Sequence, residues 1–159
     1  MLPNLGNDVL SEANDSIGGF LLTIWYNSFV NFDRDAIKFF VQRTLGCGCP
    51  EDVFKFIDCQ FNTKLNDEIV LRNKINIGNR LLIYVLEVNN TAPVRNILPF
   101  LVNAGKTERD NLKFNRFRLV LVTDRVDEIK ESAGSLFNAI NKDEKVHLHV
   151  IHKEIVPEF

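Results

Sequence analysis

The sequence predicts an α/β protein: a mixed, mostly parallel sheet with a β-α-β-α-β C-terminal half, preceded by helices or helical pieces at the N-terminus. Three observations carry that expectation. The runs 80–88 (RLLIYVLEV) and 117–123 (FRLVLVT) are almost continuously apolar, as strands buried on both faces are. Apolar residues then recur at helical spacing, at Val94, Ile97, Leu98, Leu101 and Val102, and again at Val126, Ile129, Ala133, Leu136, Phe137 and Ile140. A third strand-like run, 146–151 (VHLHVI), closes the series. Strands joined by crossover helices run parallel, with right-handed crossovers.

Taken in order, residues 1–32 form an apolar segment with Leu10, Ile17, Phe20, Leu21, Ile24 and Trp25 at roughly helical spacing, interrupted by Gly18-Gly19. It is expected to pack on the core or on a partner, with residues 17–32 a candidate surface for a homo-oligomer. A single α/β domain is expected over 33–159. Asp33 and Asp35 open a helix bearing Ile37, Phe40, Val41 and Leu45, and Gly46 stops it. The segment Gly46-Cys47-Gly48-Cys49-Pro50 reads as a tight turn, with Pro50 as the first residue of a short helical turn. Residues 57–61 and 69–77 look extended. Pro93 suits a helix start, whereas Pro99 predicts a kink or a late start, because an interior proline costs about 3 kcal/mol. Residues 105–115 read as a charged loop, and Thr123-Asp124 as the cap of the last helix.

Composition narrows the function. The 159 residues are 45% hydrophobic and 25% charged, which suits one globular domain and excludes a disordered chain. Thirteen Phe against two Tyr and one Trp predict a Phe-rich core. The net charge of −2 argues against a general nucleic-acid binder. Basic residues are nevertheless concentrated at Lys106, Arg109, Lys113, Arg116 and Arg118, where an anionic partner is conceivable. No apolar run is long enough to span a bilayer. No secretory signal is visible, and three cysteines are an odd number. Reduced thiols in a cytoplasm are the expectation.

The Cys-Gly-Cys-Pro segment is the sharpest chemical feature. Cys49, just before Pro50, is expected at a helix N-cap, where free N–H groups favour a thiolate; Glu51 and Asp52 oppose it. Cys47 and Cys49 are therefore candidate redox thiols, with Cys49 expected to react first. With Cys59 they are also candidate ligands for zinc or an iron–sulfur cluster, although such a site needs about four donors. Cys59 alternates with Ile57 and Phe61, so it is expected to face the core.

The segment Thr44-Leu-Gly-Cys-Gly-Cys-Pro-Glu-Asp-Val-Phe54, followed by Ile77-Gly-Asn-Arg-Leu-Leu-Ile-Tyr-Val85, resembles a family of short uncharacterised prokaryotic proteins with an LGCGCPEEVF-like run. The resemblance covers about a third of the chain. It implies no activity but draws attention to the cysteine turn.

Two further groups stand out. His147 and His149 share one face of a strand and His152 takes the other; the pair suits a metal or phosphate, or simply a solvated edge. The carboxyl ends of the parallel strands, where α/β sheets bind ligands, bring Glu87, Asn89, Asn90, Thr91, Thr123, Asp124, Arg125 and His152 forward as a candidate crevice. Thr91 and Asp124 read equally well as helix caps. The chain has no GxGxxG, no P-loop, no GxSxG and no HExxH. Two readings remain: a small protein with a thiol redox or metal-binding site, and a non-catalytic interaction or assembly module.

Overall fold

The computed structural model describes residues 31–159. The expectations for 1–30, including the helical pieces and most of the proposed oligomer surface, lie outside the described residues. Five strands lie side by side in sequence order: β1 (Ile57–Lys64), β2 (Val70–Ile77), β3 (Leu81–Glu87), β4 (Arg116–Thr123) and β5 (Val146–His152). β3, β4 and β5 are mutually parallel, as the sequence predicts. The β1–β2 and β2–β3 pairs are antiparallel, so the sheet is mixed and not mostly parallel.

Short connections are the reason. At the β2–β3 corner, Gly78 and Asn79 have φ of 61° and 54°, and the Arg80 N–H donates to the Ile77 carbonyl at 3.0 Å. This is a type I′ turn, whose twist suits an antiparallel hairpin. Gly78 is also hemmed in, because a Cβ there would sit 2.6 Å from the Val53 carbonyl oxygen. The 65–69 connection is closed by Asn66 Oδ1, which accepts from the N–H groups of Glu68 and Ile69 at 2.9 and 2.7 Å. A parallel partner needs a crossover of a dozen residues or more.

Helix α1 (Arg34–Phe39) begins at Asp33, whose Oδ1 accepts from the Ala36 N–H at 3.0 Å. It widens into a π-turn over Phe40–Thr44 and stops at Gly46, with φ of 63°. Helix α2 (Thr91–Asn111) is longer than the sequence suggests. It runs through Pro99 and absorbs most of the expected charged loop. Pro99 and Arg95, whose carbonyl loses a partner, are both exposed, so water can take up that carbonyl. Helix α3 (Val126–Ile140) leads into β5.

The three parallel strands progress in one direction across the sheet, so two right-handed crossovers put α2 and α3 on the same face. That face holds Leu82, Tyr84, Leu86, Phe117, Leu119 and Leu121 against Val94, Leu98, Leu101, Ile129, Ala133 and Phe137. Tyr84 meets Phe117 edge-on, with ring centroids 5.0 Å apart. The Tyr84 hydroxyl donates to Glu108, which pairs with Lys74 at 2.8 Å and so ties α2 to β2 and β3. The opposite face carries Ile75, Ile77, Ile83, Val85, Val120 and Val122, also buried. Among the described residues the core is mainly Ile, Leu and Val and not Phe-rich: Phe39, Phe56, Phe61 and Phe100 are exposed.

Gly105 lies where α2 presses on the Phe117 ring, and a Cβ there would overlap the ring. Gly105→Ala should therefore destabilise the protein by about 1–3 kcal/mol in urea unfolding, because overpacking forces the ring out of place. A variant as stable as the parent would show that the helix can retreat from the ring.

Candidate functional site

Cys47 and Cys49 are half-buried in the turn between the π-turn and a short 3₁₀ turn, Glu51–Lys55. Their Sγ atoms are joined as a disulfide, with Cα atoms 5.2 Å apart, inside the range that a disulfide spans. The turn is anchored by the Cys47 N–H, which donates to the Val41 carbonyl at 3.0 Å. Cys49 is not the N-cap residue. Pro50 holds that position in an extended conformation (ψ 152°), so helical geometry begins one residue later than the sequence predicts. The ground for a faster Cys49 is removed with it.

The surroundings of the turn supply a different electrostatic argument. Cys47, Cys49, Pro50 and Val53 line a cleft of about 230 Å³ together with Arg80 and Arg116. These arginines come from the starts of β3 and β4. They are brought together because the Asn115 and Arg116 N–H groups both donate to the Arg80 carbonyl, at 2.7 and 3.0 Å. Both side chains are exposed, and among the described residues neither pairs with a carboxylate. Glu51 is bonded to Lys38 and to Gln42, which together hold its carboxyl below the usual range. Its charge is thus matched away from the sulfurs, while two guanidiniums border them. Nearby positive charge lowers a thiol's pKa.

Cys59 lies elsewhere, on β1, buried as expected. Asn73 Nδ2 donates to its sulfur at 3.6 Å. Burial pushes its thiol up to about 11. The three cysteines are not brought to one point, and among the described residues no group of three or more His, Cys, Asp and Glu could hold a metal ion.

His147 and His149 share a face of β5, an edge strand, as predicted. That face also carries Arg118 of β4. Arg118 Nη1 donates to the Leu45 carbonyl and lies 3.0 Å from His149 Nε2. A guanidinium can only donate, so His149 accepts and carries its proton on Nδ1. Burial, then Arg118, pushes His149 down to about 4; His147 is lowered by burial and by Arg118 and Arg116. His152 instead caps the terminal 3₁₀ turn, its Nδ1 accepting from the Glu154 N–H at 3.2 Å.

Of the strand-end residues, His152 Nε2 lies 3.7 Å from Asp124 Oδ1. Glu87, Asn89 and Asn90 line a cleft with Val70, Pro93 and Ile97. Thr123, Asp124 and Arg125 are occupied locally: Thr123 Oγ1 accepts from the Arg125 N–H at 3.0 Å, and Asp124 pairs with Lys153 at 2.7 Å. Nor do Thr91 and Asp124 cap the helices, since the cap residues are Asn90 and Arg125, without side-chain cap bonds. The basic cluster also disperses. Lys106 and Arg109 belong to α2, Lys113 follows it, and Arg116 and Arg118 belong to β4. Arg109 is buried and bonded to Asp143 at 2.7 Å and to Asp110 at 2.9 Å.

No family model, curated protein or solved structure matches the chain.

Two outcomes follow from these contacts. Under native conditions Cys59 should resist alkylation whether or not the other two thiols are reduced, and should react on unfolding; labelling in the folded protein would place β1 wrongly. Arg109, and then the Lys145 N–H, hold the Asp143 carboxyl below its ordinary value. A carboxylate with a depressed folded pKa adds stability above its unfolded pKa of about 3.9, and that contribution is lost as pH falls through the folded value. Asp143→Asn should thus lower the urea midpoint at pH 7 and flatten its decline between about pH 5 and pH 2. Equal acid limbs in parent and variant would remove Asp143 from that account.

Proposed function

We propose that the Cys47-Gly48-Cys49 turn is a thiol–disulfide exchange site. The observation that carries this reading is a disulfide across a single glycine, half-buried in a cleft bordered by Arg80 and Arg116. A link this short contributes little to the fold. Closing so small a loop removes on the order of 1.5 kcal/mol of unfolded-state entropy, against about 4.7 for a 100-residue loop. Its value is then chemical more than structural. The likeness of the segment 44–54 to the LGCGCPEEVF run of the prokaryotic family directs attention to the same turn.

In the reduced form, one thiolate attacks a sulfur of a substrate disulfide. A mixed disulfide forms and the first substrate thiolate departs. The second cysteine then attacks the protein sulfur of that mixed disulfide, releasing the other substrate thiolate and leaving Cys47 joined to Cys49. Two electrons pass to the substrate, whose thiolates take up protons from solvent. A small thiol such as glutathione reverses the sequence. Arg80 and Arg116 favour the attacking thiolate, and Cys59, neutral and buried, stays out of the exchange. The setting that suits this chemistry is a cytoplasm.

Equilibration with mixtures of reduced and oxidised glutathione, followed by acid quench and alkylation, tests the proposal. Mass spectrometry should show one reversible two-electron transition confined to Cys47 and Cys49. Cys47→Ser and Cys49→Ser should each stop at a mixed disulfide with glutathione whose occupancy follows the glutathione ratio, since no second protein thiol is present to close the internal bond. Three free thiols after long exposure to oxidised glutathione would refute the reading, as would a Cys47–Cys49 bond that excess thiol leaves intact. Replacing Arg80 and Arg116 together by Gln should slow alkylation of the reduced pair near neutral pH several-fold, because less of the pair is thiolate once the two positive charges are gone.

A further inference from the structure

Two charged side chains border the cysteine turn and are matched by nothing in it. Arg80 and Arg116 are both exposed, and among the described residues neither pairs with a carboxylate. Strand register brings them together: Leu81 of β3 stands beside Arg116 of β4, and the Arg116 N–H donates to the Arg80 carbonyl. Arg116 also shares a face of β4 with Arg118, whose guanidinium holds the Leu45 carbonyl just before the turn. Arg116 is therefore fixed on the side of the sheet that the turn covers.

The cleft that both arginines share with the cysteines has no carboxylate in its lining. Glu51 is tied to Lys38 and Gln42, and Asp52, the other acid of the 3₁₀ turn, is not in the cleft wall. Pro50, Val53, Ile77 and Leu81 make the rest of that wall largely apolar. The chain as a whole carries −2, so the positive charge here is local and runs against the overall sign. At about 230 Å³ the cleft falls below the roughly 300–1,000 Å³ of pockets that enclose drug-sized ligands. It suits a short chain with sulfur at the cysteines, methylenes along the wall and a carboxylate at the guanidiniums, which bind such a group through charge-assisted hydrogen bonds.

We infer that the substrates of the cysteine turn are low-molecular-weight disulfides and thiols that bear a carboxylate a few bonds from sulfur. The inference rests on the exchange reaction proposed above and assigns its substrate class. The chemistry of each step is unchanged. The attacking thiolate bonds to one substrate sulfur, the other departs as a thiolate, and closure of the Cys47–Cys49 bond then releases the bound half. Arg80 and Arg116 thus have two separable effects. Favouring the thiolate speeds exchange with every disulfide alike, whereas recognition of a carboxylate speeds exchange with the anionic ones alone.

Three disulfides of like sulfur chemistry separate the two effects: anionic dithiodipropionate, neutral hydroxyethyl disulfide and cationic cystamine. Each is used to oxidise the reduced full chain near neutral pH, with acid quench, alkylation and mass spectrometry giving the rate. Division by the rate of the same disulfide with free mercaptoethanol removes intrinsic reactivity. The corrected rates should fall in the order anionic, neutral, cationic. At least about tenfold should separate first from last, the lower end of what charge focusing in a cleft supplies. Arg80→Gln with Arg116→Gln should bring that ratio near one. Lys106→Gln with Lys130→Gln, on the helices of the opposite face, removes the same charge and should leave it unchanged. In the unaltered protein, raising salt from about 0.01 M to about 0.15 M should shrink the ratio several-fold, as the Debye length shortens from about 30 Å to about 8 Å. A ratio near one in the parent, or one that survives loss of both arginines, overturns the substrate class and leaves the exchange reading standing. So does a ratio that the lysine pair abolishes equally, since the field is then general. Failure of all three disulfides to oxidise the pair refutes the exchange reading itself, and the substrate class with it.

Discussion

The burial of both faces of β3 and β4 governs the arrangement. Leu81–Leu86 and Phe117–Thr123 are unbroken runs of buried residues, so each face of the sheet must be covered. The crossover rule sends α2 and α3 to one face. The other is met by the chain before β1, through Arg118 to the Leu45 carbonyl and Gly78 to the Phe56 carbonyl, and Arg34 braces that chain internally at the carbonyls of Phe54 and Lys55. That segment contains the cysteine turn. Its position is therefore a consequence of sheet topology, which sets Cys47 and Cys49 over the amino ends of β3 and β4, beside Arg80 and Arg116.

The parts of the fold that depend on repetition were legible in the sequence. The three parallel strands and their helices announce themselves through continuous apolar runs and unbroken helical spacing. The end of α2 was not legible, because its buried face continues through Gly105 and Arg109. One is buried by close contact with Phe117 and the other by ion pairing, and neither registers as apolar. The direction of β1 and β2 was also missed, although Gly78-Asn79 carried a usable hairpin signal. In the site, the cysteines were visible but their charged neighbours were not. Arg80 and Arg116 are 36 positions apart and meet only through strand pairing. The rule about carboxyl ends directed attention to the opposite end of the sheet.

The basic excess of the middle of the chain takes a form that counting does not reveal. It resolves into exposed arginines at one cleft, a buried arginine at another, and a third locked against two aspartates. Sequence spacing offers no means of separating them, because the distinction lies in depth along a strand and in partners distant in sequence. Arg116 and Arg118 share a face of β4 and differ only in depth. That difference alone separates a solvated charge bordering the sulfurs from a dry one held between the Leu45 carbonyl and His149.

Strand order has a kinetic consequence as well. Every strand pairs with its neighbour in the chain, but the connections differ in length: 65–69 within the first hairpin, against 88–115 and 124–145 for the crossovers. A roughly fivefold longer loop adds about 1.4 kcal/mol of closure entropy. The antiparallel half can thus assemble from local encounters and offer β3 as a template. The parallel half must wait for α2 and α3 to gather up the intervening chain. Between the two crossovers the shorter, 124–145, is the cheaper to close, so loop entropy favours joining the strand that carries His147 and His149 to β4 over joining β4 to β3.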